Sequence, residues 1–386
     1  MENIYKDIAQ RTQGDIYIGV VGPVRTGKST FIKRFMDTKV LPNIENNYKR
    51  ERARDELPQS ASGRTIMTTE PKFVPNEAVK IKINDASCNV RMVDCVGYMV
   101  NGALGSEEEG TMRMVQTPWG DEAMPFNEAA EIGTEKVINE HSTIGIVVTT
   151  DGSITDIPRE NYVEAEERVI TELKKINKPF AVLLNSVSPS GNQAKTLQKN
   201  LQEKYNVPVI CVSCAQLDED DIEDILKTVL YEFPLTEIGI DLPGWLDALD
   251  YSHPLKNGIY TSLRDGLKDV RKISDAKNRI ASLKELEYAD DVKTIKTDLG
   301  SGIIRLEILT PESMFYEVLS QTTGLDVSDD EKLLKLLMEL KDIKKKYDKI
   351  EYALKEVDAK GYGIVYPSID ELHLEEPEIV KQGSRY

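Results

Sequence analysis

Eight residues near the start of the chain restrict its fold more than any other feature. Gly22-Pro23-Val24-Arg25-Thr26-Gly27-Lys28-Ser29 satisfies the pattern G-x-x-x-x-G-K-[ST] in full. An apolar run, Ile16–Val21, precedes it, and a helical pattern with Phe31, Ile32, Phe35 and Met36 on one face follows. Strand, glycine-rich loop and helix in that order make a phosphate-binding loop, because backbone N–H groups of the loop and of the helix N-terminus converge on one anion. Lys28 is expected to neutralise the outer phosphates of a nucleoside triphosphate, and the Ser29 hydroxyl to ligate Mg²⁺. Gly22, Pro23, Val24, Arg25, Thr26, Gly27 and Thr30 complete the expected cradle.

From Asp15 to Phe233 apolar strands alternate with helical patterns. The strand candidates are Ile16–Val21, Val79–Ile83, Asn89–Val93, Thr143–Thr149, Phe180–Leu184 and Pro208–Val212. The helical candidates are Ser29–Thr38, Asn127–Glu140, Asn161–Ile176, Gln193–Lys204 and Asp220–Tyr231. This alternation predicts an α/β fold with a mostly parallel sheet covered by helices on both faces. Only Asn84 to Cys88 separate two of the strands, too few for a crossover helix, so Val79–Ile83 and Asn89–Val93 must pair antiparallel. One antiparallel strand just before the second acidic motif is the pattern of P-loop NTPases of the GTPase-like (TRAFAC) type. The expected nucleotide-binding domain is residues 1–236.

That second motif is Asp94-Cys95-Val96-Gly97. An acid at a strand end places a carboxylate near Mg²⁺, and the glycine places an N–H near the γ-phosphate. Between the two motifs, Thr68 and Thr69 are candidates for the threonine that closes over Mg²⁺ and senses the γ-phosphate. The lesser alternative is that they only begin a strand, which threonine favours. Tyr98 stands where many GTPases carry the glutamine that orients water. Arg25 is either an intrinsic cation for the transition state or a solvated loop charge. At the base, a GTPase would read N-K-x-D after the strand from Phe180. This chain reads Asn185-Ser186-Val187-Ser188. Asn185 and Ser188 should lie beside the base, and without the carboxylate that pairs with guanine, ATP becomes the expected ligand.

The net charge is −17, and no run of Lys and Arg announces a basic patch, so no nucleic-acid partner is expected. No apolar stretch is long enough to span a bilayer, and the N-terminus lacks a signal-peptide core, so a cytoplasmic location is expected. Cys211 and Cys214 have C-x-x-C spacing, but Cys211 sits in a strand-like run and His141, His253 and His373 are scattered. Buried structural thiols are the favoured reading over a metal or redox pair.

Past Pro234 the texture changes to an α+β domain, expected over residues 237–386. Helical segments run from Leu255 to Ile280, alternating segments follow at Ser282–Tyr288 and Ile303–Leu309, and a helix should begin after Pro311. Residues 328–361 read as one long helix. Ser328 and Glu331 make a capping box, and Gly361 is the stop. Leu333, Leu336, Leu340, Ile343, Tyr347, Ile350, Leu354 and Val357 form a heptad seam. The seam is expected to pack within its own domain, with an intermolecular coiled coil as the alternative.

The stretches Asp15–Phe35, Asp55–Pro75, Val93–Tyr98 and Glu375–Arg385 resemble the stage IV sporulation protein A family. The resemblance extends over essentially the whole chain. It implies an ATPase whose ATP binding and hydrolysis drive self-assembly into a static polymer. That polymer forms the basement layer of the spore coat, in the mother-cell cytoplasm at the outer surface of the forespore membrane. It also implies recruitment by a small amphipathic membrane-bound peptide and recruitment of other spore-coat proteins in turn. The family's loop lysine, magnesium aspartate and sensor threonines fall on Lys28, Asp94 and Thr68 or Thr69. Family members continue into a further C-terminal domain, tied to membrane localisation and polymerisation, so truncation is expected here. The competing readings are a regulatory P-loop GTPase switch and a nucleotide-bound scaffold without catalysis.

Overall fold

A computed structural model describes residues 4–58, 71–83, 86–103, 107–108, 111–118, 122–286 and 288–367. The chain falls into two compact units, Met1–Leu309 and Thr310–Tyr386.

The first unit opens with helix α1 (Ile4–Arg11) and strand β1 (Asp15–Val21), followed by α2 (Lys28–Phe35), α3 (Asn47–Asp55), β2 (Lys72–Ile83) and β3 (Ala86–Asp94). Two short ribbons follow, β4 (Glu107–Glu108) with β5 (Thr111–Met112), and β6 (Met114–Val115) with β7 (Met124–Pro125). Then come α4 (Phe126–Asn139), β8 (Ile144–Thr150), α5 (Val163–Lys175), β9 (Phe180–Asn185), α6 (Asn192–Tyr205), β10 (Val209–Val212) and α7 (Glu219–Tyr231). The main sheet has the order β10-β9-β8-β1-β3-β2. All neighbours are parallel except the β2–β3 hairpin, as the short connection requires. Every residue of β8 and of β9 is buried, which is why both read as unbroken apolar runs rather than alternations.

Two elements differ from the sequence expectation. Strand β2 begins at Lys72 rather than Val79, with its register broken between Val74 and Val79. Pro75 lies in that gap and has no N–H to give the ladder. Helix α2 ends at Phe35 and widens into a π-type turn over Met36–Val40. The wide turn carries Lys39 inward, where its ammonium is paired with Glu219 and Glu223 of α7.

The unit continues with β11 (Glu237–Asp241), α8 (Pro254–Leu267), α9 (Ile273–Leu283), β12 (Asp291–Asp298) and β13 (Ile303–Leu309). These strands form a second sheet ordered β11-β13-β12. The strand expected at Ser282–Tyr288 is not there. Ile273, Ala276 and Leu283 are buried at helical spacing, so Leu283 belongs to the apolar face of α9, and the strand starts later, at Asp291. This sheet is tied to the first: Arg11 donates to the Leu299 carbonyl at 2.7 Å and to that of Pro234 at 3.1 Å, and Lys272 pairs with Glu232 at 2.8 Å.

The second unit contains α10 (Glu312–Thr323), which follows Pro311, and α11 (Asp330–Lys360). The cap of α11 is Asp329, whose carboxylate accepts from Lys332 N at 2.9 Å. Ser328, the expected cap, instead donates its hydroxyl to Asp329 at 2.7 Å. Both residue types cap well, and the helix starts one residue later than the serine would place it. Gly361 ends the helix in the left-handed conformation, as expected.

Candidate nucleotide-binding site

Strand β1 is the switch point of the main sheet. The chain passes from it to β3 on one side and later returns to β8 on the other, leaving a crevice at the carboxyl ends of the strands. The loop Gly22–Gly27 occupies that crevice. It is held by Val24 N donating to the Tyr98 carbonyl at 2.9 Å and by the Thr26 hydroxyl donating to the Pro23 carbonyl at 3.0 Å.

Lys28, in the first turn of α2, is buried, and its ammonium donates to the carbonyls of Pro23 (2.6 Å) and Gly22 (3.4 Å). Burial pulls its pKa down, opposed by nearby Cys95 and Asp94. The next residue, Ser29, donates its hydroxyl to Asp94 Oδ2 at 2.6 Å. Asp94 ends β3, level with Val20 of β1 in the parallel register. Burial raises its pKa, although the Ser29 hydroxyl and the Lys28 ammonium pull the other way. Its second oxygen, Oδ1, is buried and accepts no hydrogen bond. An unsatisfied buried carboxylate oxygen is costly unless a cation or donor meets it. The pairing of this oxygen with a primary hydroxyl is the all-oxygen donor set that Mg²⁺ takes. Ser29 and Asp94 therefore fit the ion that the loop implies, and they are the residues that would hold it. When bound, the ion would supply positive charge to a polyphosphate. Among the described residues, no group of three or more His, Cys, Asp or Glu forms a metal cluster elsewhere.

Gly97 lies against the loop. A Cβ there would stand 2.1 Å from the Gly22 carbonyl oxygen and 2.6 Å from Lys28 Nζ, and its φ of +93° is left-handed. Only glycine fits such a contact. Tyr98, at the glutamine position, turns away into protein. Its ring is buried beneath the Arg168 guanidinium, 4.3 Å from the centroid, and its hydroxyl donates to Glu172 of α5. Burial and Glu172 both raise the phenol pKa, so it stays a neutral donor. Tyr98 is thus a packing residue.

On the other side of the loop stands Asn185, the last residue of β9. Its amide donates to the Thr26 carbonyl at 2.9 Å and accepts from Cys214 N at 3.0 Å. It braces the phosphate loop against the segment after β10. Ser186 is buried and accepts from Ser188 N at 3.0 Å, while Ser188 itself is exposed. Cys214 is buried, with its thiol pKa pushed up to about 12 by desolvation; Cys211 is half-buried.

The structure thus brings Gly22, Pro23, Val24, Thr26, Gly27, Lys28, Ser29, Asp94, Gly97 and Asn185 to one place. Thr30 follows Ser29 in α2 and is half-buried. Arg25 sits on the loop at a φ of +64°, and its Nη2 is buried without a partner. Burial lowers its pKa, and Tyr162 partly offsets this. Thr68 and Thr69 lie outside the described residues. One acid was missed. Asp151, just past β8, accepts from Ser153 N at 2.9 Å and from its hydroxyl at 2.5 Å. Burial pushes its pKa up, but hydrogen bonds from Ser153 and Ser186 hold it below the usual carboxylate value. The signal was available: like Asp94, it is an acid at the carboxyl end of a buried central strand.

A buried phosphate-loop lysine, a serine–aspartate pair with an open oxygen and an antiparallel hairpin describe a P-loop NTPase, and the wider comparisons narrow it. The ATPase domain of stage IV sporulation protein A matches residues 1–234, and the middle domain of the same protein matches residues 235–386. Stage IV sporulation protein A of Clostridioides difficile (strain 630) is 55% identical over 385 residues, covering 100% of this chain and 78% of that protein. The proteins of the same name from Bacillus anthracis and Bacillus subtilis (strain 168) are each 47% identical over 385 residues, with the same coverage. With its site and both of its halves matched in this way, the chain belongs to the stage IV sporulation protein A family.

Proposed function

We propose that this chain binds ATP with Mg²⁺ and hydrolyses it to ADP and phosphate, and that turnover drives its self-assembly into a static polymer. The polymer would be the basement layer of the spore coat, in the mother-cell cytoplasm at the outer surface of the forespore membrane. The observation that carries the ATPase part is the convergence of Lys28, Ser29 and Asp94, with Asp94 Oδ1 left open beside the phosphate loop. Family membership supports the assembly part.

In this reading Lys28 pairs with the outer phosphates, and N–H groups of the loop and of the first turn of α2 wrap them, apart from Pro23, which has none, and Val24, whose N–H is given to Tyr98. Ser29 and Asp94 hold the metal, with Thr68 or Thr69 closing over it. Water positioning cannot use Tyr98, whose hydroxyl is committed to Glu172. Arg25, with its unpaired Nη2, is the cation available to the transition state. Ser188 carries no charge with which to pair guanine, so adenine is not repelled. An amphipathic membrane-bound peptide and other spore-coat proteins are the proposed partners. Among the described residues no helix is long and apolar enough to cross a membrane, which suits a peripheral role. The charge of −17 argues against nucleic acid.

A second reading has one observation in its favour: the missing glutamine suits a scaffold that binds nucleotide without turning it over. Competition and single-turnover phosphate release separate the readings. ATP should bind at least as tightly as GTP, because the absent carboxylate removes an advantage of roughly ten- to a hundredfold from GTP. Restoring lysine and aspartate with Ser186→Lys and Ser188→Asp should return part of that preference. A clear GTP preference in the parent would promote the GTPase switch. Tight ATP binding with no phosphate release would leave the scaffold. ATP-dependent sedimentation tests the polymer.

A further inference from the structure

Helix α11 presents an apolar stripe that, from Leu340 onward, the described residues leave open. Its heptad a positions are Leu333, Leu340, Tyr347 and Leu354, and its d positions are Leu336, Ile343, Ile350 and Val357. From Leu340 to Val357 these side chains are 38% to 60% exposed. Past Gly361 the chain doubles back: a Cβ at Gly363 would lie 2.0 Å from the Ala353 carbonyl oxygen. The return buries Ala353, at a g position of the last full heptad, and leaves the a and d side chains beside it open. An apolar stripe about 36 Å long, from Leu333 to Val357 at about 1.5 Å per residue, needs a partner. A strict alternation of three- and four-residue steps demands a partner with the same left-handed winding.

The charges beside the stripe select that partner. The g positions Glu339 and Lys346 and the e positions Lys344 and Glu351 flank its centre. In parallel, in-register copies each g residue faces the e residue five positions later on the neighbour. Glu339 then meets Lys344, and Lys346 meets Glu351, both of opposite sign. An antiparallel alignment that overlaps the full stripe sets Lys344 against Lys344 and Lys346 against Lys346. The existing pairs of Lys344 with Asp348 (3.4 Å) and Glu351 with Lys355 (2.7 Å) are exposed i,i+4 contacts and yield readily to new partners. The layers set the strand number: leucine at three of the four a positions with β-branched residues at three of the four d positions favours more than two strands.

We infer that α11 is a self-association helix, through which copies of this chain assemble as a parallel, in-register, left-handed coiled coil of three or four strands. The association deepens the self-assembly proposed above without resting on ATP turnover. It is expected without nucleotide, whereas the proposed polymer requires ATP, so either can fail alone.

Sedimentation equilibrium of the full chain without nucleotide should give trimers or tetramers at micromolar concentration. A monomer at tens of micromolar would overturn the proposal. Ile343→Cys should form a disulfide-linked pair on mild oxidation, against the parent as the background for its native thiols. Linkage only when Ile343→Cys and Tyr347→Cys copies are mixed would mean antiparallel pairing and would also overturn it. Ile343→Asp should weaken association by at least about a hundredfold with an unchanged circular dichroism spectrum. Unfolding of that variant would show that the chain covers the stripe itself, against the proposal. Glu339→Lys and Lys344→Glu should each weaken association by about tenfold, and the double exchange should restore it. No restoration would refute the register.

Discussion

The phosphate-loop crevice and helix α11 are built on opposite terms. In the crevice almost every polar group has a partner inside the chain. Lys28 is held by two carbonyls, Asn185 bonds on both sides, and Glu166 nearby accepts from Arg159, Thr149 and Tyr205 while fully buried. What remains open among the described residues is small and polar: Asp94 Oδ1, Arg25 Nη2 and Arg159 Nη1. On α11 the open surface is large and apolar, and several of its charged groups pair with neighbours one turn away. The first region is complete but for a small ionic ligand, and the second lacks a whole protein surface. A site of the first kind tolerates little change within it. A surface of the second kind tolerates most changes unless they touch the stripe.

Substitutions can break this comparison. The largest effect is expected at Lys28. Lys28→Ala should weaken ATP binding about a hundredfold in calorimetry, since it removes the charge-assisted hydrogen bonds to the phosphates. Equal affinity in variant and parent would undo the assignment of the loop.

Next is a matched pair of glycines, both left-handed. Gly97→Ala should cost about 2 kcal/mol or more in denaturant unfolding, because strain adds to a clash with the Gly22 carbonyl. Gly324, the C-cap of α10, has open space around it, so Gly324→Ala should cost about 1 kcal/mol from backbone strain alone. Similar costs would show that the crevice is softer than its packing implies.

Asn185→Ala follows, at about 1–2 kcal/mol, through a donor and an acceptor lost together. A melt unchanged from the parent would mean that the two loops do not depend on its amide. The smallest effect belongs to α11: Glu331→Ala, which removes the exposed pair with Lys335, should shift stability by about 0.3–0.5 kcal/mol. A loss several times larger would show that its surface charges are structural.

The features legible in the sequence were those set by local pattern. The phosphate loop carries its own signature, the hairpin follows from a short connection, and the central strands from their apolar runs. What was hidden depends on contacts distant in sequence or on ties between local rules. Nothing near Tyr98 announces Glu172, and nothing near Asn185 announces Thr26 or Cys214. Lys39 looks like a surface residue until α7 brings Glu219 and Glu223 to it. The misplaced strand at Ser282–Tyr288 came from Leu283, which satisfies both periods and which burial assigns to α9. At the start of α11, Ser328 and Asp329 are adjacent competent caps, and local preference cannot rank them. The seam was expected to pack within its own domain, yet from Leu340 to Val357 its side chains stand open, because period alone does not tell an inward face from an outward one.

The two-sided grip of Asn185 has an evolutionary consequence. A donor and an acceptor are needed at one spacing: aspartate would set like partial charges against the Thr26 carbonyl, and glutamine would be one methylene too long. Position 185 is therefore closed to drift. The residues just after it, Ser186 to Ser188, bear no such burden toward the loop. On the proposed reading, in which the base sits beside them, a lineage could rewrite its base preference there, one residue at a time, without loosening its hold on phosphate. Adenine and guanine selectivity would then be cheap to exchange within this architecture, and the lock on the phosphate loop would be the part that history cannot easily edit.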